Sequence, residues 1–258
     1  ISGVDIMTVL FDLEADPPER EPGPPWYPRP EPSGATLFGD AVLERAATPF
    51  DLARSAVDPV FAVPEAYSGA DAWTALFSYT VQIYCDFSGY TDIAIGLALL
   101  MGFIFPQNFN RPYRSRSVRE FWRRWHMTLS RWLRDYLYIP LGGNRKGTVR
   151  TYENLMITML LGGLWHGAAW HFVVWGGLHG LYLVVGHWKG TLRARGVLAT
   201  PPDTWWTHAL QWASTFVLVC VGWVFFRADS VGTALSMLGR LVTFQSGPTS
   251  LVTLPVLL

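Results

Sequence analysis

The sequence predicts an all-α protein built from helices that cross a bilayer or lie along it. Three observations carry this. Half of the 258 residues are hydrophobic and only 16% are charged, against roughly 25% charged in soluble domains. There are 13 Trp and 15 Phe, and aromatic side chains collect where a membrane meets water. The formal net charge of zero hides an asymmetry: residues 111–150 carry eleven Lys/Arg against two acids, whereas residues 1–70 are acidic.

The two cysteines, Cys85 and Cys220, stand in separate apolar runs. That spacing argues against a disulfide framework and against a cysteine metal site. The chain begins at Ile1 with no signal peptide at its head and ends in an apolar run, so it reads as a piece of a longer membrane protein. Three regions are expected: a partial N-terminal region over 1–71, a core over 72–228, and the start of further C-terminal helices over 229–258.

Residues 1–15 carry no clear signal. Residues 16–34, DPPEREPGPPWYPRPEPSG, are Pro-rich with no apolar period, and predict an extended linker. Residues 35–63 hold one or two amphipathic helices, with Leu43, Ala46 and Ala47 on one face and Pro49 as an interruption.

From Ala72 to Phe105 an apolar run of 34 residues exceeds the ~20 that one straight span needs. Its centre is polar, with Asp86, Ser88, Gly89, Tyr90, Thr91 and Asp92. A helix broken at Ser88–Gly89 is the expectation. Carboxylates at such depth are costly unless paired or facing a wet cavity. Asp86 and Asp92 either pair with arginines and cap half-helices, or line a substrate cavity.

Ser117 and Glu120 have capping-box spacing and predict a helix from about Val118 to Tyr138, stopped by Pro140. Trp122, Trp125, His126, Leu129, Leu133 and Tyr136 recur on one face, and Arg119, Arg123, Arg124, Arg131 and Arg134 take much of the rest. Such a helix lies in the interface, and its positive charge places 111–150 in the cytoplasm. His126 falls on the apolar face, as a packing residue or as a proton-transfer or orienting group. The turn LGGNRKG (141–147) reads equally as an anion site or a solvated loop.

Residues 155–188 are apolar and studded with Gly, His and Trp. They predict one long broken helix or two short ones, too short for two full spans of ~20 residues. Gly162, Gly163 and Gly167 permit close backbone approach or unwinding around His166, and irregular backbone at depth is tolerated only beside protein or a cavity. His166 is therefore the best candidate for a functional side chain. His171 and His179 read as packing residues, and His187 and His208 as interfacial. KGTLRARG (189–196) is a second basic loop, residues 207–226 are the cleanest span, and 230–242 start a short helix.

Metal hydrolase, serine-elbow and P-loop motifs are missing from the sequence. A histidine at depth beside a cationic face suits a base acting on a hydroxyl while an anionic donor docks on arginines.

The segments QIYCDFSGYTDIAIG, NFNRPYRSRSVREFWRRWHMTLSRWLRDYLYIPLGGNRKG, MLLGGLWHGAAWHFVVWGGLHG and GWVFFRA resemble the membrane-bound O-acyltransferase family, in its bacterial branch of alginate O-acetyltransferases and related peptidoglycan and teichoic-acid acylating proteins. The resemblance runs colinearly over Ala72–Ala228. It implies the family's fold in a multi-pass protein of the bacterial inner (plasma) membrane, with the WHG histidine, His166, catalytic and the RRWH histidine, His126, its companion. It further implies an acyl thioester donor, acetyl-CoA, arriving from the cytoplasm near Arg123, Arg124 and Arg134. Asp86, Ser88, Trp125 and Trp165 would border the donor and acceptor, and no bound cofactor or metal is implied. The expected partners are membrane lipid, an extracytoplasmic acetyltransferase and a polysaccharide acceptor, without nucleic acid. The sequence departs from the family at its start, since residues 1–71 show none of the spans that usually precede YCDFSGY. Two alternatives stay open: D-alanyl transfer to teichoic acid by the same fold, and a transporter with Asp86, Asp92 and His166 along its path. No inverted repeat is evident to support the transporter.

Overall fold

A computed structural model describes residues 49–243 and 246–248. The expectations for 1–48, including the linker and the first amphipathic helix, and for a span beginning in the tail lie outside the described residues.

The described chain is helical. Helix α1 (Pro49–Ala62) leads through a 3-10 turn into α2 (Gly69–Leu100). Ser68 starts α2 by a capping box: its hydroxyl accepts from the Asp71 amide, and the Asp71 carboxylate accepts from the Ser68 amide. The buried face of α2, Ala72, Ala75, Leu76, Tyr79 and Thr80, follows the helical period. Beyond Thr80 only Ala98 is buried, and Asp86, Tyr90 and Asp92 are exposed.

The expected break at Ser88–Gly89 does not occur. All 32 residues of α2 form one helix, ~48 Å long at 1.5 Å per residue. Glycine permits a break without requiring one, and here a polar neighbour is satisfied locally: the Thr91 hydroxyl donates to the Phe87 carbonyl.

The basic segment is where the sequence expectation and the fold differ most. In place of one helix over 118–138 there are α3 (Val118–Trp122), α4 (Met127–Trp132) and π-helical turns over Leu133–Tyr138. The Ser117 hydroxyl accepts from the Glu120 amide as the spacing predicts, but the Glu120 carboxylate turns to the Arg116 amide instead. The break falls at His126, whose backbone is left-handed (φ 42°, ψ 57°). Buried Asn108 takes over the hydrogen bonding at the corner. Its carbonyl accepts from the Met127 amide (2.9 Å), and its side-chain oxygen accepts from the Thr128 amide and hydroxyl (3.2 and 3.0 Å).

Residues 155–188 lie within two helices that together run further than the apolar run. These are α5 (Thr148–His166, 19 residues) and α6 (Trp170–Ala194, 25 residues). The expectation of short elements fails because polar turns at 148–154 and 189–194 extend each helix past its apolar stretch. At ~28 Å and ~38 Å, the first is about as long as the ~30 Å bilayer core and the second exceeds it. Their tight contact depends on glycine. A Cβ at Gly163 would collide with the Phe172 carbonyl, and one at Gly176 with the Met159 carbonyl, while each would also sit 3.2 Å from the other's Cα. This is close small-residue packing.

Helix α7 (Trp205–Arg227) and α8 (Val231–Thr243) close the fold. By length and apolar composition, α2 and α7 qualify as candidate spans. Helix α8 docks through Ala234, Met237 and Leu241, with the Trp73 indole donating to the Leu241 carbonyl. Arg227 ties α7 to α1 through Asp58 (2.6 Å). In the core, Phe121 and Trp125 stack (5.6 Å between centroids), and Trp125 meets Trp223 (4.9 Å).

Candidate active site

Four elements meet at the end of α5. His166 is its last residue, and the chain turns through Gly167–Ala169 before α6 starts at Trp170. Gly167 lets this turn pass, because a Cβ there would lie 2.7 Å from the Phe172 ring. The His166 imidazole is half-buried in an aromatic box: Trp175 stands perpendicular to it at 5.1 Å, Phe226 of α7 at 5.1 Å, and Phe172 at 6.2 Å.

His126 arrives from the other side on the broken corner. Its ring is 5% exposed and packs edge-on against Phe87 of α2 at 4.8 Å. Trp165 joins the two histidines, with its ring 6.4 Å from His126 and 4.9 Å from His166. The sequence placed His126 and His166 in separate helices 40 positions apart; the fold brings them to one place.

The chain between them forms an arm running antiparallel to α5. Leu133 packs against Gly162, and buried Asn154 donates its side-chain amide to the Gly143 carbonyl (2.9 Å). The arm thus connects the histidines to the basic turn 141–147 beside the start of α5.

The other expected site residues distribute as follows. Trp125 is buried beneath the corner, in the core against Trp223. Ser88 is half-buried on α2, next to the Phe87 that touches His126. Asp86 is exposed on α2, with no hydrogen bond or ion pair to a described residue. Arg123 is exposed at the corner. Arg124 is bound to Glu120 (2.8 Å) and the Asn110 carbonyl, and Arg134 chelates Asp135 through two bonds (2.7 and 3.1 Å).

His171 and His179 serve packing, whereas His208 lies 2.7 Å from the Asp203 carboxylate at the surface and His187 meets Tyr152 edge-on at 5.7 Å. His171 Nδ1 lies 3.1 Å from the Phe225 carbonyl. His179 accepts from the Trp122 indole at 3.3 Å, and Gly222 leaves it room, since a Cβ there would sit 2.6 Å from His179 Nε2. Among the described residues, no three His, Cys, Asp or Glu side chains converge as a metal site.

Sequence reasoning missed Phe87, Asn108, Trp175 and Phe226, which wall or position the pair. Each reads as an ordinary core or loop residue until the backbone breaks at His126. Chemically, the arrangement offers two imidazoles among largely aromatic neighbours, one of them half-buried, suited to moving a proton from a hydroxyl.

A sequence model of the membrane-bound O-acyltransferase family, MBOAT, matches residues 62–227. The chain is 50% identical over 211 residues to a probable alginate O-acetylase of Pseudomonas putida, covering 82% of this chain and 41% of that protein. It is 47% identical over 171 residues to a peptidoglycan O-acetyltransferase of Helicobacter pylori, covering 66% of this chain and 31% of that one. Similarity to a teichoic acid D-alanyltransferase of Streptococcus thermophilus is lower, 36% over 165 residues, covering 58% and 40%. The chain spans about 41% of the length of the first of these relatives.

Proposed function

The chain belongs to the membrane-bound O-acyltransferase family, and on that premise we propose that it is the catalytic part of a multi-pass O-acetyltransferase of a bacterial inner membrane. In this reading it moves acetyl from acetyl-CoA, or a related acyl thioester, on the cytoplasmic side toward hydroxyls of an exported, alginate-like polysaccharide. A partner acetyltransferase outside the membrane would complete the delivery. One observation carries the reading: His126 and His166, from separate elements, share Trp165 at the end of α5 opposite the basic turn.

The chemistry follows from that placement. As the acceptor hydroxyl oxygen attacks the thioester carbonyl, His166 takes its proton. The new C–O bond forms, the C–S bond breaks, and the imidazolium returns the proton to the leaving thiolate. The aromatic walls keep competing water out, so the thioester meets the acceptor rather than being hydrolysed. His126 orients the donor or acceptor from the opposite wall. The 50% identity to an alginate O-acetylase against 36% to a D-alanyltransferase favours acetyl over D-alanyl.

The test is ester-linked acetate in exopolysaccharide from cells lacking the native copy, at matched membrane levels of protein. His166→Ala is expected to lower acetate by roughly 10²- to 10⁴-fold, the range for loss of a general base. His126→Ala is expected to lower it less. Unchanged acetate in both variants would refute the assignment, and D-alanyl esters in place of acetate would hand the site to that reaction.

A further inference from the structure

We propose that the turn Tyr138–Lys146 seats the phosphate groups of the acyl donor, holding a CoA-like molecule so that its thioester reaches His166. The inference rests on the acyl-thioester reading above and names which part of the donor is gripped, and where.

The turn borders an open cleft of ≈ 340 Å³ lined by Tyr138, Pro140, Gly142, Asn144, Arg145 and Lys146, among others. Its charge is unspent. Among the described residues neither Arg145 nor Lys146 has an ion pair, and the nearby Glu153 is held by Arg150 at 2.9 Å. Arg124 and Arg134, which the sequence nominated for the donor, are already neutralised by Glu120 and Asp135. Phosphate oxygens are bound best by cations whose donors are unclaimed.

The cleft is built, not a loose loop. Gly142 (φ 114°), Gly143 (φ 53°) and Gly147 (φ 88°) hold left-handed backbone. The Gly143 amide donates to the Tyr138 carbonyl (2.8 Å), and the Arg145 amide to the Gly142 carbonyl (3.1 Å). Beneath, Asn154 anchors the Gly143 carbonyl to α5. Gly142 also gives the Lys146 stem its resting place: a Cβ there would lie 2.9 Å from Lys146 Cδ.

Distance joins the cleft to the chemistry. Gly143 lies beside Asn154, and from Asn154 to His166 is twelve residues along α5, ~18 Å. A phosphopantetheine arm has 13 bonds from phosphorus to sulfur, and an extended chain advancing at most ~3.6 Å per three bonds spans about 15 Å. Flexible Lys and Arg side chains supply the remainder. A phosphate bound at Arg145 and Lys146 therefore sets the thioester near His166, while Arg123, further up the arm, is not needed for the grip.

The experiment is calorimetric binding of CoA and of phosphate-free pantetheine to the full protein in neutral phosphatidylcholine vesicles, with and without added anionic lipid. The Arg145→Gln/Lys146→Gln variant is expected to bind CoA roughly 10- to 100-fold more weakly, as for two lost contacts of ordinary net hydrogen-bond strength, and to keep its pantetheine affinity. Arg145→Lys/Lys146→Arg should retain most CoA affinity. Unchanged CoA binding in the double glutamine variant overturns the inference while leaving the acetyltransferase reading standing. Equal loss of pantetheine and CoA binding overturns it too, as general damage. An effect seen only with anionic lipid assigns the cleft to lipid headgroups and overturns the donor role. Failure of the wild-type protein to bind CoA at all refutes the donor reading itself, and this inference with it.

Discussion

His126 concentrates the residue-scale question. A non-glycine residue at φ 42° carries about 1–2 kcal/mol of backbone strain, which the structure tolerates by giving the adjacent amides to Asn108. Two explanations of the residue make different demands. If the imidazole itself acts on substrate, His126→Gly and His126→Ala should lose acetate transfer equally, although glycine relieves the left-handed backbone and alanine does not. If only the corner geometry matters, His126→Gly should keep near wild-type activity and raise thermal stability. Equal loss with His126→Gly the more stable variant by about 1 kcal/mol is the expected outcome, read from polymer acetate and thermal unfolding of the same preparations. The role of Asn108 was not legible beforehand, because an Asn in a Pro-bounded loop looks like any turn residue until its acceptors are counted.

Element existence was readable wherever apolar periodicity ran without interruption, as in α7 and α8, where the expected 207–226 and 230–242 became Trp205–Arg227 and Val231–Thr243. It failed where tertiary partners outweighed local pattern. Ser88–Gly89 looked like a break and is not; the neighbouring Thr91 hydroxyl bonds back to its own helix. Trp122, Trp125 and His126 looked like one helical stripe and are split, because Asn108 competes for the helix amides. The α5–α6 pair also turns on glycines: close approach was expected at Gly163, whereas its partner Gly176 shows its importance only where the two helices meet. Gly163→Ala or Gly176→Ala places a methyl against a carbonyl of the facing helix, and overpacking of this sort costs about 1–3 kcal/mol. Each variant should melt several degrees lower and lose acetate transfer, since spreading the hairpin moves His166 away from Trp175. Gly186→Ala, with nothing within 4 Å of its Cβ position, should match wild type in both measurements. Equal melting temperatures for Gly176→Ala and Gly186→Ala would contradict the close-packed hairpin.

Across the whole molecule, the charge asymmetry seen in the sequence takes on a spatial meaning. Arg145, Lys146 and Arg150 stand at the start of α5, and Lys189, Arg193 and Arg195 at the end of α6. Both open ends of one hairpin are therefore basic, while its closed end carries His166 and the uncharged turn Gly167–Ala169. Exposed Trp188, Trp205 and Trp206 mark the same open side, as an interfacial aromatic belt would. The positive-inside tendency predicts that the open ends face the cytoplasm; in the acetyltransferase proposed above, donor and acceptor would then approach the histidines from opposite ends. Single cysteines at Lys146 and Arg195 should react with a membrane-impermeant maleimide only in inside-out vesicles. A cysteine at Ala168 should react only from the other face, and labelling should be scored against the background of Cys85 and buried Cys220. Labelling of Lys146→Cys and Ala168→Cys from one and the same face would mean that α5 does not cross, and the two-sided route from donor to acceptor would fall with it.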